Sequence, residues 1–192
     1  MLEGTTTTLS LGTKAPTFHL PDPQGKAVSS DEFGGASALL VAFICNHCPF
    51  VKHIQSSFTT LAKEYQARGA AIIAISSNDA QSYPDDGPEK MAEEIRTAGY
   101  TFPYVYDESQ EVARAYGALC TPDFFLFDRD QRLAYRGQFD GSRPKNNVPV
   151  TGADLRAAFD AVLEGRPVPG DHKPSVGCSI KWKPGNAAKI VG

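Results

Sequence analysis

Cys45-Asn-His-Cys48 sets two of the four cysteines of this 192-residue chain three positions apart, directly after an apolar run and just before a stretch with helical spacing. That arrangement suits thiol–disulfide chemistry. A thiolate at a helix N-terminus sits beside about half a positive charge from aligned peptide dipoles, and unpaired N–H groups there can point at it. Lowering a thiol pKa from about 8.5 to about 6.5 raises its thiolate fraction at pH 7 from roughly 3% to roughly 75%. Cys45 is expected to be the exposed attacking thiol, and Cys48 the more buried one, a turn further in and close enough to bridge. His47, when protonated, favours the thiolate, and Asn46 is its companion in the loop. Pro49 falls in the first turn, where a missing N–H costs little.

A metal site is the competing use of such a pair. A structural zinc site joins C-x-x-C to a second two-ligand knuckle, and the chain has no second C-x-x-C and no H-x-x-x-H. No metal or cofactor is therefore expected. A metal-binding or metallochaperone module built from Cys45, Cys48 and Cys120 or His47 would instead carry stoichiometric zinc or copper. His19, His53 and His172 are weak signals. The acidic loop Asp79–Asp86 reads as solvated, near the edge of the site.

The elements that must position the motif are legible from hydrophobic period. Leu39–Cys45 is an unbroken apolar run, which fits a strand covered on both faces. Phe50, Ile54, Phe58, Leu61 and Tyr65 recur at spacings of three and four, one face of a helix over 49–68. Ala70–Ser76 reads as a second buried strand and Ser77–Pro88 as a long polar loop. A helix over Glu89–Ala98, an edge strand Phe102–Tyr106 containing Pro103 and a short helix over 109–116 follow. Phe124–Phe127 and Arg132–Arg136 form a hairpin, and Thr151-Gly-Ala-Asp154 resembles a capping box opening the last helix. Upstream, Thr17–Leu20 and Lys26–Val28 flank a turn at Gly25. Strands alternating with helices, then a terminal hairpin, predict an α/β fold whose parallel sheet has an antiparallel portion.

Composition narrows the class. With 41% hydrophobic residues, 19 basic against 22 acidic and a net charge of -3, the chain is neither disordered nor a broadly basic nucleic-acid binder. No apolar run reaches the ~18 residues of a membrane span, and the first ten residues lack a secretory pattern. These readings predict a cytoplasmic protein without nucleic-acid or membrane partners. One domain is expected over residues 1–165, with an N-terminal hairpin at about 10–36. A C-terminal extension over 166–192 is expected to pack on it, with Trp182 as a possible anchor.

Strand, C-x-x-C, helix, and Thr121-Pro122 before the hairpin together resemble a thioredoxin fold over roughly residues 10–165. The finer resemblance is to redoxin proteins grouped with alkyl hydroperoxide reductase and thiol-specific antioxidant, in a peroxiredoxin-like thioredoxin subgroup. It is carried by Gly12-Thr-Lys-Ala-Pro-Thr-Phe18, Tyr83-Pro-Asp-Asp86, Cys120-Thr-Pro-Asp123 and Gly177-Cys-Ser-Ile-Lys-Trp182. The resemblance implies a central mixed sheet flanked by helices, a cis peptide at Pro122 and Thr121 backbone presented to a thiol substrate. It implies a thiol–disulfide oxidoreductase acting on protein or small-molecule thiols and disulfides with a partner reductase or oxidant. A thiol-dependent peroxidase is the nearest alternative. Against that alternative, the peroxiredoxin P-x-x-x-[ST]-x-x-C pattern set on Cys48 finds Val41 and Cys45 instead, and the activating arginine falls at or near Pro122. Leu39 also stands where thioredoxins keep a buried acid. Cys120, before Thr121-Pro122, is expected near the dithiol, and Cys178 in the tail is a second candidate resolving thiol.

Overall fold

The run read as a doubly covered strand forms β3 (Leu39–Phe43), wholly buried. Strand alternation explains why it has no polar position: Leu40 and Ala42 face one hydrophobic cluster, while Leu39, Val41 and Phe43 face another. The computed structural model describes residues 9–186. Around β3 the sheet is completed by β4 (Ala71–Ser76), β5 (Tyr104–Tyr106), β7 (Asp123–Phe127) and β8 (Leu133–Gly137), in the order β5-β4-β3-β7-β8. β3, β4 and β5 are parallel, whereas β7 and β8 are antiparallel to their neighbours. β5 lies at the edge, as Pro103 requires.

Among the described residues, four α-helices connect or cover these strands. They are α1 (Pro49–Gln66), α2 (Pro88–Ala98), α3 (Glu111–Tyr116) and α4 (Ala153–Leu163). α1 and α4 bury Phe58, Leu61, Leu155 and Phe159 against one sheet face, and α3 buries Val112 and Tyr116 against the other. The N-terminal strands β1 (His19–Pro21) and β2 (Ala27–Ser29) form a separate antiparallel hairpin. Its turn is held by Asp22, whose carboxylate accepts the Gln24 and Lys26 amides.

Two local expectations change, and one strand pairing is new. The strand expected to run to Cys45 ends at Phe43, which leaves both motif cysteines beyond the sheet. The start of α4 has no capping box. Gly152 precedes the helix at φ 68, and the Asp140 carboxylate, not a local side chain, takes the Thr151 and Gly152 amides at 2.7 Å each. A two-residue ladder also pairs β6 (Cys120–Thr121) with β9 (Cys178–Ser179), antiparallel, with Thr121 opposite Cys178.

The described part of the tail packs on the domain. Ile180 is buried in the second cluster and Trp182 packs against it. Buried Gln110 donates to the Ser77 and Lys181 carbonyls and accepts the Lys183 amide. Asn78 accepts the Lys181 amide at 2.8 Å. Among the described residues no helix is long and apolar enough to cross a membrane.

Phe58 touches Phe102, Phe124 and Phe139 at ring-centroid distances of 5.3 to 6.2 Å, joining α1 to the sheet beneath the motif. Phe58→Ala is expected to cost about 3–5 kcal/mol, read as a lower denaturant midpoint at unchanged slope.

Candidate active site

Cys48 is the residue immediately before α1, with Pro49 at the first helical position, so the helix begins where the sequence places it. Cys45 and Cys48 are both fully buried free cysteines. This corrects the expectation that Cys45 is the exposed thiol. Thr121 closes over both sulfurs: its Oγ1 lies 3.3 Å from Cys45 Sγ, and its carbonyl accepts from Cys48 Sγ at 3.2 Å. The Thr121-Pro122 bond is cis.

The two thiols ionise as one unit. Cys48 is pulled down to about 4. The largest cause is donation from the Cys45 thiol, with Thr121, the Val51 amide and Cys178 adding to it against the cost of burial. Cys45 is driven up, first because its proton is held by Cys48, then by burial and by the charge of Asp86. The pair therefore gives up one proton readily and the second only with difficulty, a property of the two sulfurs together.

Asp86 is the residue the sequence reading missed. It is fully buried, so the loop read as solvated instead carries a structural carboxylate. One oxygen accepts the Asn46 and His47 amides at 2.8 and 3.1 Å. The other accepts Asn78 Nδ2 at 2.8 Å and contacts His47 Nδ1. Charged acceptors make such bonds stronger than neutral ones. Asp79, in the same loop, is buried too and is held low chiefly by the Ser82 hydroxyl. The Tyr83-Pro-Asp-Asp86 run and the length of the loop were the available signals.

Asn46 is buried and works as a clamp, accepting from Tyr104 and donating to the Asp85 carbonyl. His47 stacks on Tyr83 at 5.5 Å between ring centroids, and the Lys181 ammonium lies 5.7 Å from the centroid of the Tyr83 ring. Cys120 is carried by the residue next to Thr121, so strand alternation turns it to the opposite face. It lies in a cavity with Asp123, Arg136 and His172, and burial pushes it up to about 12, with the charges of Asp123, Cys48 and Cys178 adding to the rise. Cys178 packs against the cluster that contains Cys48. The Thr121 edge that the resemblance assigns to substrate is occupied by β9. His53 bonds Ser142 and His172 packs on Tyr135.

Among the described residues one group of three can offer metal donors: Cys45, His47 and Asp86, whose ligand atoms lie within 4.8 Å of one another. The Asp86 carboxylate in that group is already engaged by four donors, so a metal would have to break the bonds that shape the loop.

The comparisons with known proteins fit this geometry. A family model described as AhpC/TSA matches residues 11–136. The chain belongs to the AhpC/TSA family. A crystal structure of a hypothetical protein from Sinorhizobium meliloti 1021 is 52% identical, with a TM-score of 0.91 over 93% of this chain and 98% of its own. The thiol-disulfide oxidoreductase ResA of Geobacillus thermodenitrificans is 29% identical over 66% of this chain and 68% of its length. A 1-Cys peroxiredoxin from Zea mays is 23% identical over 95% of this chain and 84% of its length. The thioredoxin domain of a thiol-disulfide oxidoreductase from Bacteroides vulgatus shares the fold, with a TM-score of 0.58 at 18% identity over 78% of this chain and 98% of its own. This AhpC/TSA member therefore has the thioredoxin-like α/β fold implied by its motifs.

Ionisation of Cys48 stabilises the reduced fold. Its folded pKa lies below the ordinary 9.0, so this contribution is complete above that value and is lost as the pH falls through about 4. Ultraviolet thiolate absorbance of the reduced protein should show one thiolate appearing near pH 4 and persisting across neutrality. Absorbance that rises only in the alkaline range would contradict the assignment.

Proposed function

We propose that this protein exchanges disulfides through the Cys45–Cys48 pair. As an AhpC/TSA member it is an oxidoreductase, acting on thiols and disulfides with a redox partner. The observation that carries the reading is the contact of one residue, Thr121, with both buried sulfurs at the mouth of α1.

The reduced pair holds one proton between two sulfurs. Its transfer from Cys45 to Cys48 leaves the thiolate on Cys45, within 4.8 Å of the His47–Asp86 couple. That thiolate attacks one sulfur of a substrate disulfide, and the other sulfur leaves as a thiolate that takes up a proton. Cys48 then releases its proton and attacks Cys45 Sγ. The second substrate thiol departs and the Cys45–Cys48 disulfide remains, so two electrons have passed to the substrate. His47 and Asp86 are the nearest acid–base couple for these proton movements. Thr121 and Pro122 hold the sulfurs in place, and Asn46 fixes the loop that carries His47. Occupation of the Thr121 edge by β9 favours a small disulfide over an extended protein segment. The reading assigns the protein to the cytoplasm, with no prosthetic group, nucleic acid or membrane partner.

The low pKa of Cys48 favours one further reading, a thiol-dependent peroxidase. Among the described residues no guanidinium is hydrogen-bonded to either sulfur: Arg136 Nη2 donates to Asp123 and the Gly117 carbonyl, and Arg143 donates to Gln138 and the Asp140 carbonyl. Peroxide-dependent consumption of thiol would identify it.

Cys45→Ser should lower the turnover of glutathione disulfide by at least about 100-fold, because the sulfur that attacks the substrate is gone and buried Cys48 must take its place. Reduction at the rate of the unaltered protein would remove Cys45 from the mechanism.

A further inference from the structure

Among the described residues, Thr121 brings three sulfurs to one place. Its hydroxyl touches Cys45 and its carbonyl touches Cys48. Its register partner across the β6–β9 ladder is Cys178. Residues directly opposite in an antiparallel pair project to the same face with Cβ atoms about 4.5–5.5 Å apart. Cys178 therefore stands on the face that Thr121 turns to the dithiol, whereas Cys120, one residue away, does not.

This approach is built in. A Cβ added at Gly177 would lie 2.0 Å from the Thr121 carbonyl oxygen and 2.6 Å from its carbon, so only glycine lets the tail come this close. Downstream, Ile180 is buried, Gln110 binds the Lys181 carbonyl and the Lys183 amide, and Asn78 binds the Lys181 amide. Asn78 also donates to Asp86, so one buried side chain ties the tail strand to the carboxylate beneath His47.

We infer that Cys178 is a third redox thiol, which takes over the disulfide by forming a Cys48–Cys178 bridge. The inference rests on the Cys45–Cys48 exchange proposed above. The step moves a disulfide without net oxidation. Cys178 attacks Cys48 Sγ, the Cys48–Cys178 bond forms and the Cys45–Cys48 bond breaks. Cys45 leaves as a thiolate and takes up the proton that Cys178 gave up. Burial holds Cys178 up at about 11 in the reduced protein, with donation to Cys48 and the Cys48 charge adding to the rise. Those last two causes vanish once Cys48 is in a disulfide, so Cys178 becomes easier to ionise when an electrophilic sulfur stands before it. The bridge fastens β9 over Thr121 and returns Cys45 to the reduced state, free to attack a second substrate disulfide.

The test is disulfide mapping by mass spectrometry on the full chain after incubation with glutathione disulfide. Unaltered protein is expected to carry an internal bridge at Cys48, joined to Cys45 first and passed on to Cys178. Cys45→Ser isolates the second step: Cys48 takes glutathione, and Cys178 displaces it. The expected product is Cys48–Cys178, formed at least about tenfold faster than Cys48–Cys120, because one pair is held face to face and the other is not. If unaltered protein forms Cys45–Cys48 while Cys45→Ser stops at the Cys48–glutathione adduct, or bridges Cys48 to Cys120, the role of Cys178 is overturned and the dithiol reading stands. If unaltered protein forms no internal bridge, both fall together.

Discussion

Two thiols buried side by side can carry one negative charge but not two, and the site is organised around that limit. Desolvation alone would keep both protonated. What offsets it is a small set of donors converging on Cys48: the Cys45 thiol, the Thr121 hydroxyl, the Val51 amide at the start of α1, and Cys178. The same set forbids a second charge, since Cys45 would then face both Cys48 and Asp86. Ease of ionisation and the identity of the attacking sulfur are therefore separate matters. A proton shared between the sulfurs lets the charge rest on Cys48 and act from Cys45.

The fold supplies those donors from elements far apart in the chain. β3 ends two residues before Cys45, so the motif leaves the sheet before α1 begins and both sulfurs turn inward. β6 and β7 return on the far side of β3 with Thr121 at their junction. The turn before α2 delivers Asp86 beneath the Asn46 and His47 amides. The tail then crosses the Thr121 edge and is bolted to Asn78, which is itself bonded to Asp86. Loop, edge and tail form one buried polar network, and such networks are rigid when every member is satisfied.

How far the sequence reveals this depends on the range of the interaction. β3, β4, α1 and the β7–β8 hairpin are written in hydrophobic period, and the C-x-x-C motif and Pro122 in residue type. Asp86 is not legible that way, because its partners Asn46 and His47 lie about forty residues earlier and nothing local marks an aspartate in a polar loop as buried. Cys45 looks exposed from its place before a helix, and only Thr121 and the Asp86 loop show why it is not. A two-residue strand such as β9 has no period to read. It exists because Gly177 admits close approach and because Ile180, Gln110 and Asn78 hold it down. Sequence separation likewise hides that Cys178, opposite Thr121, shares the dithiol face while Cys120 is turned from it.

If the donors around Cys48 stabilise the reduced pair, they must also make the disulfide easier to reduce, since a disulfide sulfur cannot accept them as a thiolate does. The most direct measurement is the reduction potential of the Cys45–Cys48 couple in a Cys178→Ser protein, equilibrated with glutathione buffers at pH 7. The account predicts a value clearly above thioredoxin's, about -270 mV. A value at or below about -270 mV would mean that the buried thiolate is not stabilised, and would contradict the account at its centre.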